Sequence, residues 1–198
     1  QPAIAIVPGP PALFKAVLPT LRRVGEPFRL CMKGEDRWGN PSDLCDRTFT
    51  LRANMSVDGL AQAVTFENGA FAQILEGLAV SEEGDLVVDL LDGEGAVAAT
   101  SNSCRIVAET GLLPFWGDLH GQSEETIGTN SARDFYEFAR DKAFLDICVH
   151  QGNDFQITNE FWAWLNELSA EFTQGNRFIV FPGWEWSGNT GLGGDRNI

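Results

Sequence analysis

Short alternations of apolar and polar residues, punctuated by Gly, Pro, Asn and Asp, run through the first 110 positions of the chain. A period of two marks a half-buried strand. The pattern predicts strands over residues 4–7, 14–18, 27–33, 48–53, 63–67, 71–75, 85–90, 96–99 and 104–108. Turn signals fall between them, as at Trp38-Gly39-Asn40-Pro41, Glu67-Asn68-Gly69 and Asp92-Gly93-Glu94-Gly95. Many short strands with regular turns read as an all-β sandwich of the Ig-like kind, and no helix of three turns is convincing here.

After Thr110 the period lengthens. An apolar strand is expected over 112–120. A helix follows from Ser131, where Asp134 three residues on makes a capping box and Phe135, Phe138 and Ala139 form the stripe to be buried. A strand over 144–149 comes next, then a helix over about 159–173 with Phe161, Trp164, Leu165, Leu168 and Phe172 on one face, then a strand over 177–181. The order βαβαβ with near-continuous apolar strands requires a parallel sheet covered by helices, and both a barrel and an open doubly wound sheet satisfy it. The expected fold is therefore α+β and multidomain, with a sandwich at 1–110 and a β/α unit at 111–198.

Composition narrows the class of function. With 43% apolar residues the chain is of globular type, and no run approaches the roughly 20 apolar residues of a membrane helix. A net charge of −14 repels phosphate backbones and anionic lipid, which argues against nucleic acid or a membrane as the main partner. The opening Gln1-Pro2-Ala3 shows no signal-peptide pattern. Cys31, Cys45, Cys104 and Cys148 lack C-x-x-C spacing. Free thiols in a reducing, cytoplasmic compartment and a Cys31–Cys104 bridge are the two readings, the first favoured.

Candidate chemistry lies at the carboxyl ends of the three late strands, where ligands gather in parallel sheets. Those ends read Gly117-Asp118-Leu119-His120-Gly121-Gln122, His150-Gln151-Gly152-Asn153-Asp154 and Gly183-Trp184-Glu185-Trp186. Both histidines of the chain fall there, joined by Asp118, Asp154 and Glu185. Imidazole and carboxylate converging from separate strands suit a divalent metal such as Zn, Mn or Fe, which can lower the pKa of bound water to about 7. The alternative is that the aspartates hydrogen-bond loop amides and the histidines cap strand ends.

The motif Phe115-Trp116-Gly117-Asp118-Leu119-His120 resembles the first motif of the PHP (polymerase and histidinol phosphatase) superfamily. Together with Gly183-Trp184-Glu185-Trp186 and the late Arg196-Asn197, it resembles a bacterial domain-of-unknown-function family that pairs an N-terminal β-sandwich with a PHP-like part. The resemblance covers essentially the whole chain, most specifically residues 115–198. It implies a distorted (β/α)7 barrel, incomplete in this chain, with a multi-metal centre and phosphoesterase activity. His120 and Glu185 match family ligands. Gln122 stands where the family has a second histidine, and Ile127 where it has an aspartate. The stretch from His150 to Asp154 replaces a Thr-Asp-His, and Asp195 takes the place of another histidine. The resemblance implies His120 and Glu185 as metal ligands; Asp118, Gln122, His150 and Asp195 complete the candidate set, with His150 and Asp154 as candidate catalytic groups and Arg196 either contacting an anionic substrate or pairing with a nearby acid.

Some 88 residues follow position 110, whereas a barrel of this type takes about 200 to 250. An incomplete barrel would expose apolar strand edges and favour a homo-oligomer. The glycine-rich stretch 188–194 lacks a P-loop lysine and reads as a loop beside the site. Trp184 and Trp186 could line a cleft, with core packing as the default. The expected function is a metal-dependent hydrolase acting on a small anionic substrate, a phosphoester. The alternatives are a non-catalytic PHP-like binding protein, or a hydrolase of carbon–nitrogen or carboxyl ester bonds.

Overall fold

The computed structural model describes residues 7–188 and 194–198. The expected strand at 4–7 and most of the glycine-rich stretch 188–194 lie outside the described residues. The chain divides into two compact units, Gln1–Pro114 and Phe115–Ile198.

Eleven strands are described in the first unit. They are β1 (Leu13–Val17), β2 (Leu21–Arg23), β3 (Phe28–Glu35), β4 (Pro41–Ser42), β5 (Arg47–Ala53), β6 (Ala63–Phe66), β7 (Ala72–Leu78), β8 (Gly84–Leu86), β9 (Val88–Leu91), β10 (Val97–Thr100) and β11 (Cys104–Val107). Strand β3 pairs antiparallel with β1, β4 and β7; a second sheet runs β10-β9-β5-β6; β11 sits between β2 and β8 in a third. The single strand expected over 85–90 is two strands in different sheets. The chain breaks at Val87, where the Asn54 amide accepts from Val87 N at 2.8 Å and donates to the Asp85 carbonyl at 2.9 Å. That clamp satisfies backbone groups the break would leave bare.

Alternation along β5 and β6 sends Phe49, Leu51, Val64 and Phe66 inward, where they meet Leu30, Met32, Leu78, Leu90 and Ile106 in one core. Phe49 and Phe66 pack edge to face with centroids 5.8 Å apart. Each such side chain contributes about 1.5–3 kcal/mol on burial. All four cysteines are buried thiols, three in this core or beside it, and no bridge joins Cys31 to Cys104.

The second unit contains β12 (Gly117–Gly121), α1 (Ala132–Asp141), β13 (Ile147–Asn153), α2 (Asn159–Phe172), β14 (Ile179–Trp186) and β15 (Arg196–Asn197). Ser131 caps α1 in a reciprocal capping box with Asp134. The buried stripe of α1 is Ala132, Tyr136 and Ala139, rotated from the one expected, and Phe138 is exposed. Leu165, Leu168 and Phe172 of α2 complete this core with Cys148, Phe178 and Val180. Strands β12, β13 and β14 are parallel neighbours, and β15 closes the order antiparallel to β14.

This corrects the expected fold class. The described residues are mostly strand with two helices, and the second unit is a curled, half-barrel sheet, not an α+β assembly opening a (β/α)7 barrel. The described strands of the first unit fall into three sheets where an Ig-like sandwich has two.

Candidate functional site

Register decides which residues can meet. β13 and β14 pair without a break from Ile147↔Ile179 to Asn153↔Glu185, so Cys148 and His150 share one face with Val180 and Pro182. Cys148 and Val180 lie in the helix-covered core, which makes that the helical face. Gln151, Asn153, Gly183 and Glu185 occupy the opposite face.

β12 carries a bulge. Asp118 stands opposite Cys148 and Gly121 opposite His150, so Leu119 and His120 together oppose Val149. Bulges re-aim side chains and increase local twist. Asp118 Oδ1 accepts from His120 N at 3.0 Å and so pins the bulge. The flanking glycines are required by space: a Cβ at Gly117 would run into the Ile147 backbone, and one at Gly121 into the Phe135 ring of α1.

From this bulge the His120 ring reaches over the sheet. Its Nδ1 lies 3.1 Å from Asn197 Oδ1 and its Nε2 lies 3.7 Å from Glu185 Oε2. Asn197 belongs to β15, three strand positions from β12, which a flat sheet would place about 14 Å away. The contact therefore fixes the curl, and His120, Glu185 and Asn197 share its concave face. Gln122 joins them, donating Nε2 to Glu185 Oε2 at 3.2 Å while its Oε1 accepts from Thr126 Oγ1 at 3.1 Å. Glu185 is 6% exposed, whereas the His120 side chain is 56% exposed, so the carboxylate is fixed and the imidazole accessible.

Several expected site residues stand elsewhere. His150 is fully buried on the helical face. Its Nδ1 accepts from Gly152 N at 3.3 Å, so Nε2 carries the proton it shares with Ser123 Oγ at 2.7 Å. Burial lowers its pKa to about 4 against the pull of Glu125, and the ring is neutral. Both nitrogens are engaged on the helical face, so the structure does not bring His150 together with His120. Asp154 is a loop clamp, its Oδ1 accepting from Phe155 N at 2.9 Å and Ser187 N at 3.4 Å. Asp118 likewise serves the bulge. Gln122 offers the site a nitrogen, since its oxygen is held by Thr126. Arg196 is exposed, and alternation along β15 directs it away from the face Asn197 occupies. Asp195 is exposed ahead of β15. Asn197, Gln151 and Asn153 lie in the quoted motifs but gain no role from the sequence, because an amide in a strand gives no signal until the parity of the strand is known.

No group of three or more His, Cys, Asp or Glu side chains among the described residues is arranged to hold a metal. No helix among them is long and apolar enough to cross a membrane.

No protein-family model matches the chain. It is 23% identical over 177 residues to an uncharacterized protein of Chlamydia pneumoniae, covering 86% of this chain and 28% of that protein. It is 24% identical over 162 residues to an uncharacterized protein of Chlamydia trachomatis, covering 79% and 26%. The chain thus spans about a quarter of the length of the curated relatives it matches. Among solved structures, a superoxide reductase (neelaredoxin) from Ignicoccus hospitalis matches with a TM-score of 0.34 and 13% identity, over 48% of this chain and 81% of that one.

Proposed function

We propose that the concave face of the second unit binds a divalent metal ion between His120 and Glu185 and serves hydrolysis of a small anionic ester. The observation that carries this reading is the pairing across 3.7 Å of His120 Nε2 with Glu185 Oε2, while His120 Nδ1 faces the Asn197 oxygen. If Nδ1 donates its proton to Asn197, Nε2 presents a lone pair to a carboxylate oxygen. Two such acceptors repel unless positive charge stands between them. Donors bound to one ion at about 2.1 Å lie about 3.0 Å apart in octahedral and about 3.4 Å apart in tetrahedral geometry, so the observed spacing fits a shared ion after a small adjustment.

A metal held here would lower the pKa of bound water and offset negative charge developing on the substrate. The chain's own groups hold and orient. Asn197 fixes the tautomer and ring plane of His120, and Gln122 steadies Glu185 through its N–H, the supporting roles such sites require. The exposed flank of His120 leaves a path for substrate. The likeness of Gly117–His120 and Gly183–Trp186 to PHP motifs favours a phosphoester, and this part of the reading rests on those motifs alone.

A second reading is favoured by the Gln122 nitrogen turned toward Glu185: a metal-free binding site in which a proton on His120 supplies the positive charge. Elemental analysis of the intact protein separates the two. The hydrolase reading expects about one transition metal per chain, lost in His120→Ala and Glu185→Gln, and turnover within a panel of phosphomonoesters, phosphodiesters, carboxyl esters and amides. Metal content near zero, unchanged by His120→Ala, would overturn it.

A further inference from the structure

Two buried side-chain oxygens on the concave face have no partner among the described residues. Gln151 is 4% exposed and Asn153 is 7% exposed. Asn153 Nδ2 donates to Ser187 Oγ at 2.9 Å, and Gln151 Nε2 to the Ile198 carbonyl at 3.5 Å. Gln151 Oε1 and Asn153 Oδ1 meet no donor among the described residues. Buried acceptors are paired in the great majority of cases, so two bare ones in succession on one strand face call for a partner beyond the chain, a water or an ion.

Their position names the ligand. Asn153 is the register partner of Glu185, and Gln151 that of Gly183. A Cβ at Gly183 would collide with Gln151 Nε2 and Val149, so the glycine gives the Gln151 side chain its room over the sheet. Both amides therefore share the face, and Asn153 the strand level, of the carboxylate opposite His120.

We infer that Gln151 Oε1 and Asn153 Oδ1 are further ligands of the ion held by His120 and Glu185. The inference rests on the metal reading above and extends it. The donor set becomes one imidazole nitrogen, one carboxylate and two neutral amide oxygens, a mixed, oxygen-rich set that suits Mn²⁺. It also fixes the charge of the loaded site. A divalent cation with one carboxylate and three neutral donors keeps a net charge of +1. A chain of net charge −14 would thereby offer an anionic substrate one positive pole.

The test is Mn²⁺ affinity of the intact protein, read from the electron paramagnetic resonance signal of free Mn²⁺. Gln151→Leu and Asn153→Leu are each expected to weaken binding by about tenfold or more. Gln151→Glu and Asn153→Asp supply charged oxygens at the same positions and are expected to tighten it. Leucine variants with native circular dichroism and unchanged affinity would overturn the inference. If the leucine variants do not fold, the carboxylate variants decide: folded proteins that bind Mn²⁺ no more tightly than the parent would overturn it equally. His120→Ala and Glu185→Gln separate this failure from that of the parent reading. Loss of Mn²⁺ in those two, with no response at 151 and 153, removes only the amide ligands; no binding by the unaltered protein removes both.

Discussion

Ser123 Oγ and His150 Nε2 stand 2.7 Å apart where solvent does not reach either side chain. Because Nδ1 is occupied by Gly152 N, the imidazole donates to the serine, opposite to the direction a nucleophilic pair needs. Ser123→Ala leaves a buried N–H without an acceptor, and a loss of about 1–3 kcal/mol in chemical denaturation is expected. Metal content of the folded variant should equal that of the parent.

Gly121 faces the Phe135 ring of α1 at a distance that admits no side chain. Gly121→Ala should cost about 1–3 kcal/mol by overpacking. Combining it with Phe135→Leu should recover part of that loss. A double-mutant cycle measured by thermal unfolding checks the coupling, and strict additivity would show that the ring is not the obstacle.

Acid stability of the first unit should depend on Glu35 and Asp36. Burial by itself raises the Glu35 carboxyl, but hydrogen bonds and charge from Lys33 and Lys15, at 3.0 and 3.1 Å, outweigh it and the net shift is downward. Asp36 is held well below the carboxylate range by the Asn40 side chain and by Gly9, Asn40 and Trp38 amides, against its desolvation. A carboxyl whose folded pKa is depressed binds its proton first in the unfolded chain. Its stabilisation is present above the ordinary value of 4.5 or 3.8 and is lost as pH falls below it. Denaturation midpoints recorded from about pH 6 down to pH 2 should fall for the parent. They should start lower and fall less steeply for Asp36→Asn and Glu35→Gln.

Asn197→Ala removes the acceptor that orients the His120 ring. Under the metal reading, affinity should drop by about 10- to 100-fold, while Asn197→Asp, which keeps an oxygen there, should retain most of it. Titration calorimetry with Mn²⁺ gives the comparison. Equal affinity in all three proteins would remove Asn197 from the site.

Much of the local structure was legible because it depends on neighbours in sequence. The Ser131–Asp134 cap and most strand positions between Leu13 and Val107 follow from turn residues and a period of two. Strand length in the second unit was not legible. β13 runs on to Asn153 and β14 to Trp186, four and five residues past the ends expected from apolar runs. The site residues consequently lie inside strands, where parity rules. His150 turned to the helices and its amide neighbours to the concave side, a distinction invisible if all are placed in one loop. The bulge at Leu119–His120 is equally silent in the sequence, since it is defined by register against β13, about 30 residues away, even though a local Asp118–His120 bond pins it. Both helices stand where the periodicity put them, but the longer strands and the curl of their sheet make the second unit a half-barrel instead of the opening of a (β/α)7 barrel.

The four cysteines have a practical consequence. Cys31, Cys45 and Cys104 are at most 1% exposed in the first unit, and Cys148 is fully enclosed in the second. An alkylating reagent can reach none of them without local opening, and each thiol is an endogenous clock for the segment around it. Timed labelling followed by peptide mass mapping would read the opening rate of each unit separately, with no engineered probe.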